Sequence, residues 1–264
     1  MVPIDRVTGE LERIAPLRLA AEWDAVGLLV GSRRASIARV MTCLTLTPAV
    51  AAEAVQTGVD LVVSHHPLPF RPVARLTAAS ATGRVLLDLM GAGIAVWSGH
   101  TAWDSAAGGI NDQIAALLRL EHVTPITPDE VYPLAGVGRA GAAAAGTTVR
   151  ELARRAGAAL GATAVELAGA ADRAAGRVGI ICGSGGDLVA DVAAAGCQTF
   201  LTGELKLHEA LAAVEHGLAV IAVGHHASER FSMDVLGRRL AEALPGLEWR
   251  PSSADTDPFA WQAI

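Results

Sequence analysis

The stretch Leu61-Val62-Val63-Ser64-His65-His66-Pro67 sets a short apolar run directly before two histidines and a proline. A run this short and apolar throughout reads as a strand buried on both faces, the kind that fills parallel sheets. The arrangement recurs twice. Ile94-Ala95-Val96 leads toward His100-Thr101-Ala102-Trp103-Asp104, and Val220-Ile221-Ala222-Val223 leads into Gly224-His225-His226-Ala227-Ser228-Glu229. Open α/β sheets bind ligands outside the carboxyl ends of their strands. Three unlinked stretches thus put imidazoles and carboxylates where such a fold puts its site.

Along the rest of the chain, short β-branched runs alternate with Ala/Leu-rich helical patterns, which predicts an α/β fold. Strands are expected at Val40–Leu46, Val59–Ser64, Ile94–Ser98, Val178–Cys182, Thr199–Thr202 and Leu218–Val223. Helices are expected at Pro3–Ile14, Pro48–Thr57, Ala79–Ala92, Gly109–Leu120, Thr148–Leu160, Asp187–Ala195, Leu207–His216 and Ser228–Ala243. Thr147 or Thr148 reads as the N-cap of the fifth helix, with Glu151 three residues after Thr148 to close a capping box. The Pro-containing stretch Thr124–Pro133 reads as a boundary. If all three His motifs meet, the chain returns to its first domain late. The expected organisation is residues 1–124 plus 213–264 as a metal-binding α/β domain, with 125–212 as a smaller α/β domain inserted into it.

Composition narrows the function classes. The chain has 264 residues, of which 52 % are hydrophobic and 18 % charged, which is ample for a core and argues against disorder. A formal charge of −6 makes sequence-independent binding to nucleic acid a poor expectation. The 3 cysteines (Cys43, Cys182, Cys197) form no C-x-x-C, so neither a disulfide framework nor a thiolate zinc site is expected. Reduced thiols fit a cytoplasmic protein. Met1–Glu10 lacks the apolar core of a signal peptide, and no apolar run is long enough to span a bilayer.

Each motif also has a plainer reading. A His pair after a strand fits a turn, and Pro67 suits one. His100 and Asp104 fit an exposed loop, with Asp104 capping a helix near Gly108. His225 and Glu229, four apart, share a helix face, which suits a metal and also an ordinary surface pair. It is the recurrence at three strand ends that favours the metal. Nitrogen and oxygen donors without sulfur suit Fe, Mn, Zn, Co or Ni. The donors exceed what one tetrahedral site needs, so two divalent ions per subunit are expected, about 3.5–4 Å apart. Thr202-Gly203-Glu204-Leu205-Lys206-Leu207-His208 offers Glu204 as an acid/base group and Lys206 or His208 for a phosphate. The alternative is a strand-to-helix turn with solvated charges. Gly183-Ser184-Gly185-Gly186 is a weak candidate for cradling an anion.

Taken in order, Trp23-Asp24-Ala25-Val26-Gly27-Leu28, Ser64-His65-His66-Pro67, His100-Thr101-Ala102-Trp103-Asp104, Thr202-Gly203-Glu204 and Gly224-His225-His226-Ala227-Ser228-Glu229 resemble the NIF-three-like dinuclear metal-centre family. Its bacterial members are often labelled GTP cyclohydrolase type-two homologues. The resemblance spans nearly the whole chain. It implies the inserted two-domain α/β fold and a toroidal homohexamer with metal centres facing an internal cavity. Carried over, the metal ligands are His65, His66, Asp104, His225 and Glu229, with Glu229 bridging and His100 beside them. Two departures stand out: Ala25 replaces the usual Asn, and His226 replaces the usual Tyr or Phe. His226 then serves as an added ligand, as a proton shuttle, or in the aromatic's place. The segment between Thr124 and Thr147 leaves no room for the further domain some relatives carry.

The expected activity is that of a metal-dependent hydrolase taking a small-molecule substrate. By the family label this is GTP, attacked at C8 of guanine with ring opening and formate release. Glu204 and His226 are the candidates for moving protons. The alternatives are a two-metal phosphoesterase and a non-catalytic metal-binding assembly or regulatory protein. No membrane partner is expected.

Overall fold

The computed structural model describes residues 1–262 and shows a mixed α/β protein of two compact units. One unit is Met1–Trp103 with Ser232–Thr256; the other is Asp104–Phe231 with, among the described residues, 257–262. The division falls earlier and later in the chain than the expected bounds of 125 and 212. Hydrogen-bond ladders are the reason. Glu121–Thr124 pairs with Arg139–Ala142, and Ala219–Ala222 pairs with Thr199–Glu204, so both belong to the second sheet.

The first unit is built on five strands in the order Glu248–Pro251, Arg39–Cys43, Leu61–Ser64, Ala95–Ser98, Gly27–Val30. The first four run parallel, and Gly27–Val30 closes the edge antiparallel. Leu61–Ser64 and Ala95–Ser98 are buried at every residue, as their unbroken apolar character requires. Helix Pro48–Thr57 starts on a Thr47 cap with Pro48 in its first turn and ends on left-handed Gly58. Helix Ala81–Ala92 is framed the same way by Ser80 and Gly93. Their inner faces, Val50, Ala54, Val85 and Leu89, pack with Met41, Val62 and Val96 into one core.

The second unit has six strands in the order Glu166–Ala168, Ala219–Ala222, Thr199–Glu204, Arg177–Ser184, Arg139–Ala142, Glu121–Thr124. The central three are parallel to one another, and each flanking strand pairs antiparallel with its neighbour. Its core gathers Ile181, Val189, Val192, Phe200, Ala213 and Val220. The capping box forms as expected: Thr148 Oγ1 accepts from Glu151 N at 3.2 Å, and Glu151 Oε2 accepts from Thr148 N at 2.8 Å. Among the described residues, no helix is long and apolar enough to cross a membrane.

One helix starts earlier than expected, and a short helix forms where an exposed loop was the plainer expectation. The last long helix covers His225–Ala243, so both histidines of its motif lie in its first turn. His100–Ser105 is a short helix with His100 at its first residue.

Candidate metal centre

In the first unit, His65-His66 and His100 follow neighbouring parallel strands whose ends are in register, Ser64 opposite Ser98. Backbone bonds seat the pair: His65 N donates to Cys43 O at 3.0 Å and His66 N to Leu44 O at 2.9 Å. Ser98 Oγ donates to His65 O at 2.5 Å, which ties the two strand ends together. His65, His66 and His100 then bring ligating nitrogens within 4.8 Å of one another. Their ring centroids lie 5.1 to 5.6 Å apart. His66 Nδ1 is hydrogen-bonded to Thr45 Oγ1 at 2.8 Å.

His100 has φ +28°, a region an L side chain adopts only when held there. Asp24 holds it. Asp24 Oδ1 accepts from His100 Nδ1 at 2.8 Å, and Oδ2 accepts from Thr101 N at 3.1 Å and from Thr101 Oγ1. Burial alone raises the pKa of the Asp24 carboxyl, but the His100 and Thr101 hydrogen bonds outweigh it and lower it. A carboxylate on Nδ1 fixes the tautomer in which Nε2 carries the lone pair, the usual arrangement behind a metal-ligating histidine. His100 was expected beside the ligands; its ring joins His65 and His66.

In the second unit, Glu204 ends one parallel strand and His225 follows its neighbour. His225 Nδ1 lies 3.0 Å from Glu204 Oε1, and His225 Nε2 lies 3.1 Å from Glu229 Oε2, one helical turn on. Burial disfavours the charged ring, yet the hydrogen bonds and charges of Glu229 and then Glu204 raise its pKa to about 9. The two carboxylates thus favour the protonated form of the ring. Glycine is needed alongside: at Gly183, φ +62°, a Cβ would sit 2.2 Å from Glu229 Oε1. His226 Nε2 is buried with no hydrogen-bond partner among the described residues.

Asp104 Oδ1 accepts from Cys182 Sγ at 3.3 Å, and Asn111 Oδ1 accepts from Cys182 N at 2.9 Å. Burial first, then the charges of Asp104 and Glu229, push the Cys182 thiol well up. It is held as a hydrogen-bond donor to Asp104, not as a thiolate ligand. Lys206 and His208 are exposed and face Glu209, so the solvated-turn reading describes them.

Asp24, Cys182 and Asn111 carry roles that the sequence reading did not assign. Asp24 had a signal, a carboxylate after Trp23 and just before Gly27. Asn111 had none.

The donor chemistry suits a divalent ion. Three imidazoles converge in one unit; in the other, an imidazole stands between two carboxylates. Both α/β units carry such donors beside the ends of parallel strands. The chain belongs to the DUF34/NIF3 family: the model of Duf34/NIF3 (NGG1p interacting factor 3) matches residues 2–258. It is similar to the GTP cyclohydrolase 1 type 2 homolog of Clostridium perfringens, 31% identical over 250 residues, 94% of this chain and 95% of that one. It is 34% identical over 265 residues to the protein NIF3 homolog of Schizosaccharomyces pombe, with 94% of each chain covered. The crystal structure of a Bacillus cereus protein related to NIF3 has the same fold, with TM-score 0.88, 20% identity and 98% of each chain covered.

Proposed function

We propose that this protein is a metal-dependent hydrolase with two divalent ions per subunit, held by His65, His66, Asp104, His225 and Glu229. The observation that carries the proposal is the convergence of His65, His66 and His100 within 4.8 Å, with His100 oriented by Asp24. On the support of that geometry, His100 joins the proposed donors. Divalent ions supply Lewis acidity and lower the pKa of water. The chain's own groups do the rest. Asp24 fixes the His100 ring. Glu204 orients His225 through Nδ1 and, half exposed, is placed to exchange protons with solvent. His226 is the second candidate for moving a proton.

The substrate class follows the name of the relatives, GTP cyclohydrolase 1 type 2 homolog. GTP is the substrate to test: one water adds at C8 of guanine and opens the ring to a formamide, and a second water hydrolyses that formamide to release formate. The homohexamer and the cytoplasmic location belong to the same proposal. Exposed Val131, Tyr132 and Leu134 support association between copies.

The test is formate release from GTP by protein loaded with Mn, Fe, Zn, Co or Ni. Metal-dependent release, lost in Asp104→Ala, is the expected result. Hydrolysis of a simple phosphate ester without formate release contradicts the cyclohydrolase reading and selects the phosphoesterase. Bound metal with neither activity selects a non-catalytic metal-binding protein.

A further inference from the structure

Two large aromatic side chains stand exposed beside His100: Trp23 is 65% exposed and Phe70 51%. The Trp23 centroid lies 6.0 Å from that of His100 and the Phe70 centroid 6.1 Å from it, both edge-on. Trp23 and Phe70 are 6.2 Å apart with their planes inclined by 50°. The two rings thus form an open wedge, with the histidine cluster at one side.

The wedge is not a loose surface feature. Asp24 N donates to Ala21 O at 2.9 Å, Ala21 N donates to Thr101 Oγ1 at 3.0 Å, and the Asp24 carboxylate grips His100 and Thr101. The loop that carries Trp23 is therefore pinned on both sides of it, by the same contacts that orient His100. A tryptophan this exposed gives up much of the burial that normally stabilises one, so part of its surface is open to a ligand. Aromatic faces held at a polar reaction centre take planar rings by stacking, while edge groups of that ring reach the polar side.

We propose that Trp23 and Phe70 form a stacking wedge for the planar heteroaromatic ring of the substrate, a purine-type base, presented to the histidine cluster. The inference deepens the hydrolase reading and rests on it for taking the histidines as the reacting end.

Calorimetric titration with guanosine 5′-monophosphate and ribose 5-phosphate tests it. Both probes carry the sugar phosphate, and only the first carries the ring. Wild type is expected to bind the nucleotide roughly tenfold or more tighter. Trp23→Ala and Phe70→Ala are expected to remove most of that preference, and Trp23→Phe to keep most of it. Equal affinity for the two probes overturns the wedge. So does undetectable nucleotide binding, or a preference that survives Trp23→Ala. Trp23→Ala changing the oligomeric state in place of the preference also overturns it. Metal content of the same samples tests the hydrolase reading separately: wild type without metal that keeps the preference sinks that reading and leaves the wedge standing.

Discussion

At the scale of single residues, Asp24 and Gly183 carry the most weight for their size. Asp24→Asn keeps the shape of the side chain and removes the charge that fixes His100. It is expected to weaken metal binding by about 10–100-fold while leaving the fold intact, measured by chelator competition and circular dichroism. Unchanged affinity would make Asp24 an anchor for its loop only. Gly183→Ala forces a left-handed backbone at φ +62° and drives a Cβ toward Glu229 Oε1. A loss of about 1 kcal/mol or more in urea unfolding is expected, together with a disturbed His225–Glu229 pair. The histidines were legible in the sequence because each motif follows an apolar strand. Asp24 was visible as part of the Trp23-Asp24 pair but its role was not, because its partner His100 is 76 residues away and a Trp-Asp pair in a loop has no periodicity.

At the scale of elements, Glu53 on helix Pro48–Thr57 secures the chain after strand Glu248–Pro251. Its carboxylate accepts hydrogen bonds from Ser252 Oγ, Ser253 N and Oγ, and Ala254 N. Burial pulls the Glu53 pKa upward, but these donors outweigh it and bring it down to about 2 from the usual 4.5. A depressed pKa means the folded state favours the ionised form. The stabilisation is full above about 4.5 and is lost as pH falls from there toward 2. Glu53→Gln is expected to lower stability at neutral pH and flatten its decline across that window, read from thermal melts at stepped pH; a parallel decline in both proteins would remove Glu53 from the account. The six strands expected from sequence all form, because each is a buried apolar run. The missed strands sit at or near sheet edges. Arg139-Ala140-Gly141-Ala142 has no hydrophobic pattern and looks like a linker, yet it lies beside Arg177–Ser184. Glu121–Thr124 is mostly exposed, so burial left no trace in its residues.

At the scale of the whole molecule, the α/β class was readable from alternating apolar runs, but the division between units was not. Hydrogen-bond ladders set it, and a ladder between Thr199–Glu204 and Ala219–Ala222 leaves no mark at a chain position. The Pro-containing stretch Thr124–Pro133 drew the expected boundary, but it connects strands of one sheet. For assembly, light scattering is expected to give six times the subunit mass, and a monomer would contradict the hexamer.

The most direct test of the central claim is metal content per subunit of the purified protein, for wild type and for His65→Ala and His225→Ala. About two ions in wild type, falling in both variants while circular dichroism stays unchanged, is the predicted result. No bound metal, even after incubation with Mn, Fe, Zn, Co and Ni, would contradict the account.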